Sequence, residues 1–103
     1  MTRHACHRDL PEPMVFGDVD EWTDEVTAID AELNRVFDKF GTQALTLFDW
    51  QSILSEEAGE VAKAINEHGF FTGDLQSVYA ECIQVAAVAV HMAAVIRESG
   101  EAS

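Results

Sequence analysis

Positive charge is scarce in this chain: six Lys and Arg stand against nineteen Asp and Glu, a formal net charge of −13 over 103 residues. Binding a nucleic-acid backbone means replacing its counterions with Lys and Arg, so DNA and RNA are excluded as expected partners. The same shortage argues against an anionic membrane surface. Cysteine is nearly absent, and Cys6 and Cys82 alone make no disulfide framework, which points to a reduced, cytoplasmic compartment. Long apolar runs are missing too. The longest, Val85 to Ile96, is twelve residues interrupted by His91, against roughly 20 for a membrane helix. No membrane span is expected from it. The first residues carry positive charge with no apolar stretch behind them, unlike a secretory signal. Proline occurs only at Pro11 and Pro13, which leaves the rest of the chain free to be helical.

What remains is a globular composition, 48% apolar, of a length that holds one domain and one core. Residues 1–17 read as a flexible tail closed by Gly17, and residues 18–103 as a single helical domain. In the tail, His4, Cys6 and His7 lie close together but lack a fourth partner, so they suggest only adventitious metal binding. A first helix is expected over Asp18 to Lys39, with Trp22, Val26, Ile29, Leu33, Val36 and Phe40 stepping by three and four. Asp9 to Asn34 holds nine acids and no Lys or Arg, so its outer face is strongly negative. Gly41 should stop it. A second helix is expected from near Thr46–Asp49 to about Glu67, with Gly69 as its terminator. A third should start at an Asp74 N-cap and end near Ser99, before Gly100. It is apolar on more than one face, and two short partners cannot cover it. The expected fold is therefore all-α: three main helices per chain, completed by a second chain into a core of the four-helix-bundle type. Cys82 reads as a small buried hydrophobe of the third helix.

Three acids depart from the pattern. Glu57 falls inside the apolar stripe Trp50, Leu54, Val61, Ala64 of the second helix, and Glu60 follows one turn later. Glu81 falls in the seam Val78, Val85, Val88, Met92 of the third. Spacing of i, i+3 puts Glu57 beside Glu60 and Glu81 beside Gln84. Inward carboxylates are costly without a compensating cation, and hard cations such as Mg²⁺ favour oxygen ligands of this kind. The competing reading leaves all three acids at the solvent edge of the seam.

The run Ser55-Glu56-Glu57-Ala58-Gly59-Glu60-Val61-Ala62-Lys63-Ala64, followed by Glu81-Cys82-Ile83-Gln84, resembles the MazG-like family of all-α nucleoside triphosphate pyrophosphohydrolases. The family pattern is Glu-Glu-x-x-Glu, a spacer, then Glu-x-x-Asp. The stretch Glu32 to Gln43, with Lys39-Phe40-Gly41 and Gln43, also resembles the segment preceding the first motif, so the likeness spans about residues 25–98. It implies a Mg²⁺-dependent enzyme, with Mn²⁺ as a substitute, that releases a nucleoside monophosphate and pyrophosphate from a (deoxy)nucleoside triphosphate. Carried over by position, Glu57, Glu60 and Glu81 are metal ligands and Gln84 takes the fourth place. Glu56 becomes the residue that orients or deprotonates the attacking water. Gln84 departs from the pattern, because it offers a neutral oxygen where the family has a carboxylate.

Lys39, Lys63, Trp50 and His91 are the candidate substrate contacts. Lys63 is equally explained as an i, i+3 partner of Glu60, and Trp50 and His91 as core residues. Trp22 and Phe48 are further aromatics that serve either as core or as a stacking surface. The expected assembly is a homodimer or dimer of dimers. The competing function is a catalytically silent helical interaction module whose metal site has degenerated through Gln84.

Overall fold

The computed structural model describes residues 13, 17, 19–41, 44–69 and 74–100. The tail cluster His4, Cys6 and His7 lies outside these residues. Among the described residues the protein is all-helical: α1 Thr23–Phe40, α2 Leu47–Ala64 and α3 Leu75–Glu98. A five-residue π-helical turn, Ile65–Gly69, extends α2.

Helices α2 and α3 each begin where a capping side chain satisfies free N–H groups. At α2, Asp49 N–H donates to Thr46 Oγ1 at 3.1 Å while Thr46 N–H donates to Asp49 Oδ2 at 2.9 Å. That reciprocal pair is a capping box. At α3, Ser77 N–H and Ser77 Oγ–H both donate to the Asp74 carboxylate, at 3.4 and 2.9 Å. At α1 the start falls five residues later than the acids at Asp18 suggest. Trp22 takes the N-cap position without a capping side chain, and Thr23 N–H reaches Glu21 Oε2 at 3.3 Å. Val19 and Trp22 are both exposed, so no burial rewards a longer helix. Gly41 ends α1 at φ +69°, a left-handed geometry that favours glycine, with its N–H on Phe37 O at 2.7 Å.

Helix α3 is the shared element: α1 and α2 both pack on it and make no close backbone approach to each other. Tyr79 Oη, near the start of α3, donates to Glu25 Oε2, near the start of α1, at 3.1 Å, so these two run in the same direction. Helix α2 runs the opposite way. Its first turns meet the far half of α3, where the Trp50 and His91 rings touch, and its last turn faces Ser77 and Ala80.

The core is thin. Among the described residues only Trp50, Ala64 and Ala87 are buried. Val26, Phe37, Phe40, Leu47, Phe48, Val90 and Val95 remain exposed. Cys82 is exposed rather than buried, because that face of α3 meets neither α1 nor α2. Trp22 and Phe48 likewise lie in the open, as part of no core. Helix α3 is also long and apolar enough to cross a membrane by length and composition alone. Counting a single apolar run misses this, since Gln84 and Arg97 bound the run while the helix as a whole stays apolar.

Candidate functional site

Two hollows open on the seam between α2 and α3, and the acids are divided between them. The larger, about 370 Å³, is a groove closed on its far side by α1. Phe37, Phe40, Trp50, His91 and Val95 give one part of it an aromatic, apolar lining. Glu32, Arg35, Glu57 and Gln84 give it a charged and polar part. The smaller hollow, about 290 Å³, is lined by Glu60, Lys63, Glu67, Ser77 and Glu81 among others. Helical spacing explains the division. Glu57 and Gln84 face the groove, whereas Glu60 and Glu81, each one turn away, face the smaller hollow.

The electrostatics of this junction are unfavourable as it stands. Burial is the main influence raising the Glu57 carboxyl above the ordinary carboxylate range, and the charges of Glu81, Glu56, Glu60 and Glu32 add to it. Glu81 Oε1 is buried and has no hydrogen-bond partner. A buried acceptor left unmade typically costs about 1–3 kcal/mol, more when charged. Among the described residues no three His, Cys, Asp or Glu are already gathered closely enough to hold a metal ion. Carboxylate oxygens are nevertheless the donors that a hard divalent cation takes, and one of them, Glu81 Oε1, is orphaned.

The expected site residues divide accordingly. Glu57, Glu60, Glu81 and Gln84 come together along the α2–α3 seam, and Glu56 stands exposed beside Glu57. Lys63 joins Glu60 and Glu81 in the smaller hollow. Trp50 and His91 line the groove and contact each other edge to face, so they are packing residues and groove wall together. Lys39 is not brought to either hollow. Its Nζ lies over the Phe40 ring, 5.0 Å from the centroid, in the last turn of α1.

Sequence reasoning gave Glu32 and Arg35 no place at the site, yet both line the groove. Arg35 Nε and Nη2 grip the two Glu32 oxygens at 3.1 and 2.7 Å, and this holds the Glu32 carboxyl below its ordinary range. A signal was present, since Glu32 sits between Ile29 and Val36 on the apolar edge of its helix. An i, i+3 acid–base pair on a helix looks like solvated surface, and that likeness concealed it. Compared with family models, curated proteins and solved structures, the chain matches none of them.

Proposed function

We propose that this protein is a Mg²⁺-dependent nucleoside triphosphate pyrophosphohydrolase of the MazG-like type, active as a homodimer or dimer of dimers in the cytoplasm. The observation that carries this reading is the orphaned, buried Glu81 Oε1 facing a junction of further carboxylates. A helical module with no cation to bind would gain stability by replacing such groups.

Glu57, Glu60 and Glu81 would hold the cation, with Mn²⁺ as a substitute, and the Gln84 side-chain oxygen would complete the set. When bound, a divalent ion neutralises phosphoryl charge and acidifies water. The chain's own residues do the rest. Glu56 accepts a proton from the water that attacks the α-phosphorus; the bond from that phosphorus to the α–β bridging oxygen breaks, and pyrophosphate leaves with it. Lys63 offers positive charge to the polyphosphate from the smaller hollow. Trp50, His91 and Phe37 give the groove the flat, apolar walls that suit a nucleobase. Lys39 has no part unless the last turn of α1 rearranges.

A second copy would cover the exposed apolar face of α3 and the side of α1 bearing Phe37 and Phe40. A soluble bundle suits α3 better than a bilayer, since it carries Glu81, Gln84 and His91 and packs against two helices. The test is pyrophosphate release from a panel of ribo- and deoxynucleoside triphosphates with Mg²⁺ or Mn²⁺. Turnover lost in Glu57→Gln and Glu81→Gln supports the reading, and no turnover on any substrate refutes it. The silent interaction module is the second reading. Its support is that the acids are not gathered around a common point and that Gln84 is neutral.

A further inference from the structure

We propose that residues 3–8, the Arg- and His-bearing start of the chain, fold back along α1 and occupy the groove between α1, α2 and α3. This does not depend on the cation reading above, since it concerns only the groove and the chain's own charges.

The groove offers an incoming Arg both half-buried carboxylates and open aromatic faces. Glu32 and Glu57 line it, and Arg35 is the one Lys or Arg among its described lining residues. Arg35 is committed to Glu32. Burial and four surrounding carboxylates act on Glu57, all in the direction a nearby cation would oppose. Beside these acids, the rings of Phe37 and Phe40 are 59% and 53% exposed, and a guanidinium over such a face is favourable. The outer face of α1 is acidic too, but Asp24, Asp30 and Asp38 are exposed, so water and salt screen them.

The chain's own charges favour this occupant. Residues 1–8 hold Arg3, His4, His7 and Arg8 and no acid, in a chain of net charge −13. The other cations are placed elsewhere: Arg97 beside Glu98, Lys39 over Phe40 and Lys63 in the smaller hollow. Leu10 and Glu12 each precede a proline, which holds both in extended conformations and lowers the entropy lost on docking.

The length of chain matches the groove. Gly17 has φ +88°, a left-handed geometry suited to reversing direction. Even if residues 17–22 run straight away from α1, an equal return from Gly17 brings Pro11 level with Thr23. From there Arg8 lies about 10 Å and Arg3 about 26 Å farther along α1 in extended chain. The α1 wall of the groove, Glu32 to Phe40, runs from about 14 to about 26 Å beyond Thr23. Arg8 therefore comes beside Glu32 and Glu57, and Arg3 beside Phe37 and Phe40. A ligand of the groove must displace the segment to enter, and the segment, joined to α1, leaves with that helix.

The experiment places a nitroxide on Cys6 of the full chain, with Cys82→Ser removing the other thiol, and reads paramagnetic broadening of nitrogen-15 signals. The Trp50 indole and the amides of Phe37, Phe40 and His91 should lose most of their intensity. Arg3→Glu/Arg8→Glu, or about 1 M NaCl, should restore it. Without any label, the same double substitution should shift the Trp50 indole signal, and circular dichroism checks that the helices persist. Broadening that is absent from the groove, that centres on the outer face of α1 or the smaller hollow, or that survives the double substitution overturns the proposal. So does equal broadening in a mixture of labelled chains with unlabelled nitrogen-15 chains, because the segment then enters a second copy.

Discussion

Trp50 and His91 meet edge to face, with ring centroids 4.9 Å apart and planes inclined at 73°. The contact pins the first turn of α2 to the far half of α3 and forms part of the groove wall. Trp50 is one of only three buried residues among those described, so it carries an outsized share of the packing. Trp50→Ala should cost about 3 kcal/mol, and Trp50→Phe clearly less because a ring remains against the imidazole. Urea denaturation followed by circular dichroism measures both.

Mg²⁺ should raise the thermal midpoint in proportion to its binding, since only the folded chain lays the carboxylates of α2 and α3 along one seam. Glu57→Gln and Glu81→Gln should lose that response. Each should also stabilise the metal-free protein, because each removes a charge from a crowded or unsatisfied position. Thermal scans with and without Mg²⁺ decide it, and an undiminished Mg²⁺ response in both variants excludes the acids as ligands.

The pH dependence of the metal-free protein follows from Glu57. Its folded pKa lies above the ordinary 4.5, because of burial first and neighbouring acids second. The folded state therefore takes up a proton there before the unfolded chain does. As pH falls from neutral through that raised pKa, Glu57 adds stability, complete below 4.5 and lost again as pH rises. Glu32 works in the opposite sense. Its hydrogen bond from Arg35 lowers its pKa, so its contribution is present above 4.5 and fades as pH falls through the depressed value. Denaturation midpoints between pH 7 and 4 should rise more in the native chain than in Glu57→Gln.

Gly59 lies in the α2 interior between Glu57 and Glu60, and a Cβ built there meets nothing within 4 Å. Gly59→Ala should stabilise the helix by about 0.8–1 kcal/mol through propensity alone. A loss instead of a gain would place a second chain against that surface.

The native protein should sediment above its 11.4 kDa chain mass at micromolar concentration, given so small a core and so many exposed apolar side chains. A folded monomer at that concentration would contradict this.

Helix periods and caps were legible in the sequence because they are local. Gly41 ends its helix and Asp74 caps its own as the pattern suggests, and α2 starts within the expected Thr46–Asp49. Spacing of i, i+3 gave Glu57 beside Glu60 and Glu81 beside Gln84 within each helix, and did not show that Glu57 and Gln84 would line one hollow and Glu60 and Glu81 another. What could not be read is what the third helix brings. Glu32 reaches the groove only because α1 packs on α3 alongside α2, and no local rule states that. Cys82 was misread for the same reason: an apolar neighbourhood along a helix does not say which side the neighbouring helices take.

That the backbone of α1 comes close to α3 alone has a consequence for the order in which the protein comes apart. Helices α2 and α3 are successive in the chain and share the buried residues, so their hairpin is the unit that closes first and opens last. Helix α1 has no buried residue and must return across the length of α2 to reach its partner. It can therefore peel away while the hairpin persists, taking one wall of the groove with it. Amide hydrogen exchange should show α1 losing protection at a lower free energy than α3, and a ligand seated in the groove should slow exchange in α1 most. Access to the groove is then governed by how often a single helix lifts off, with no separate lid required.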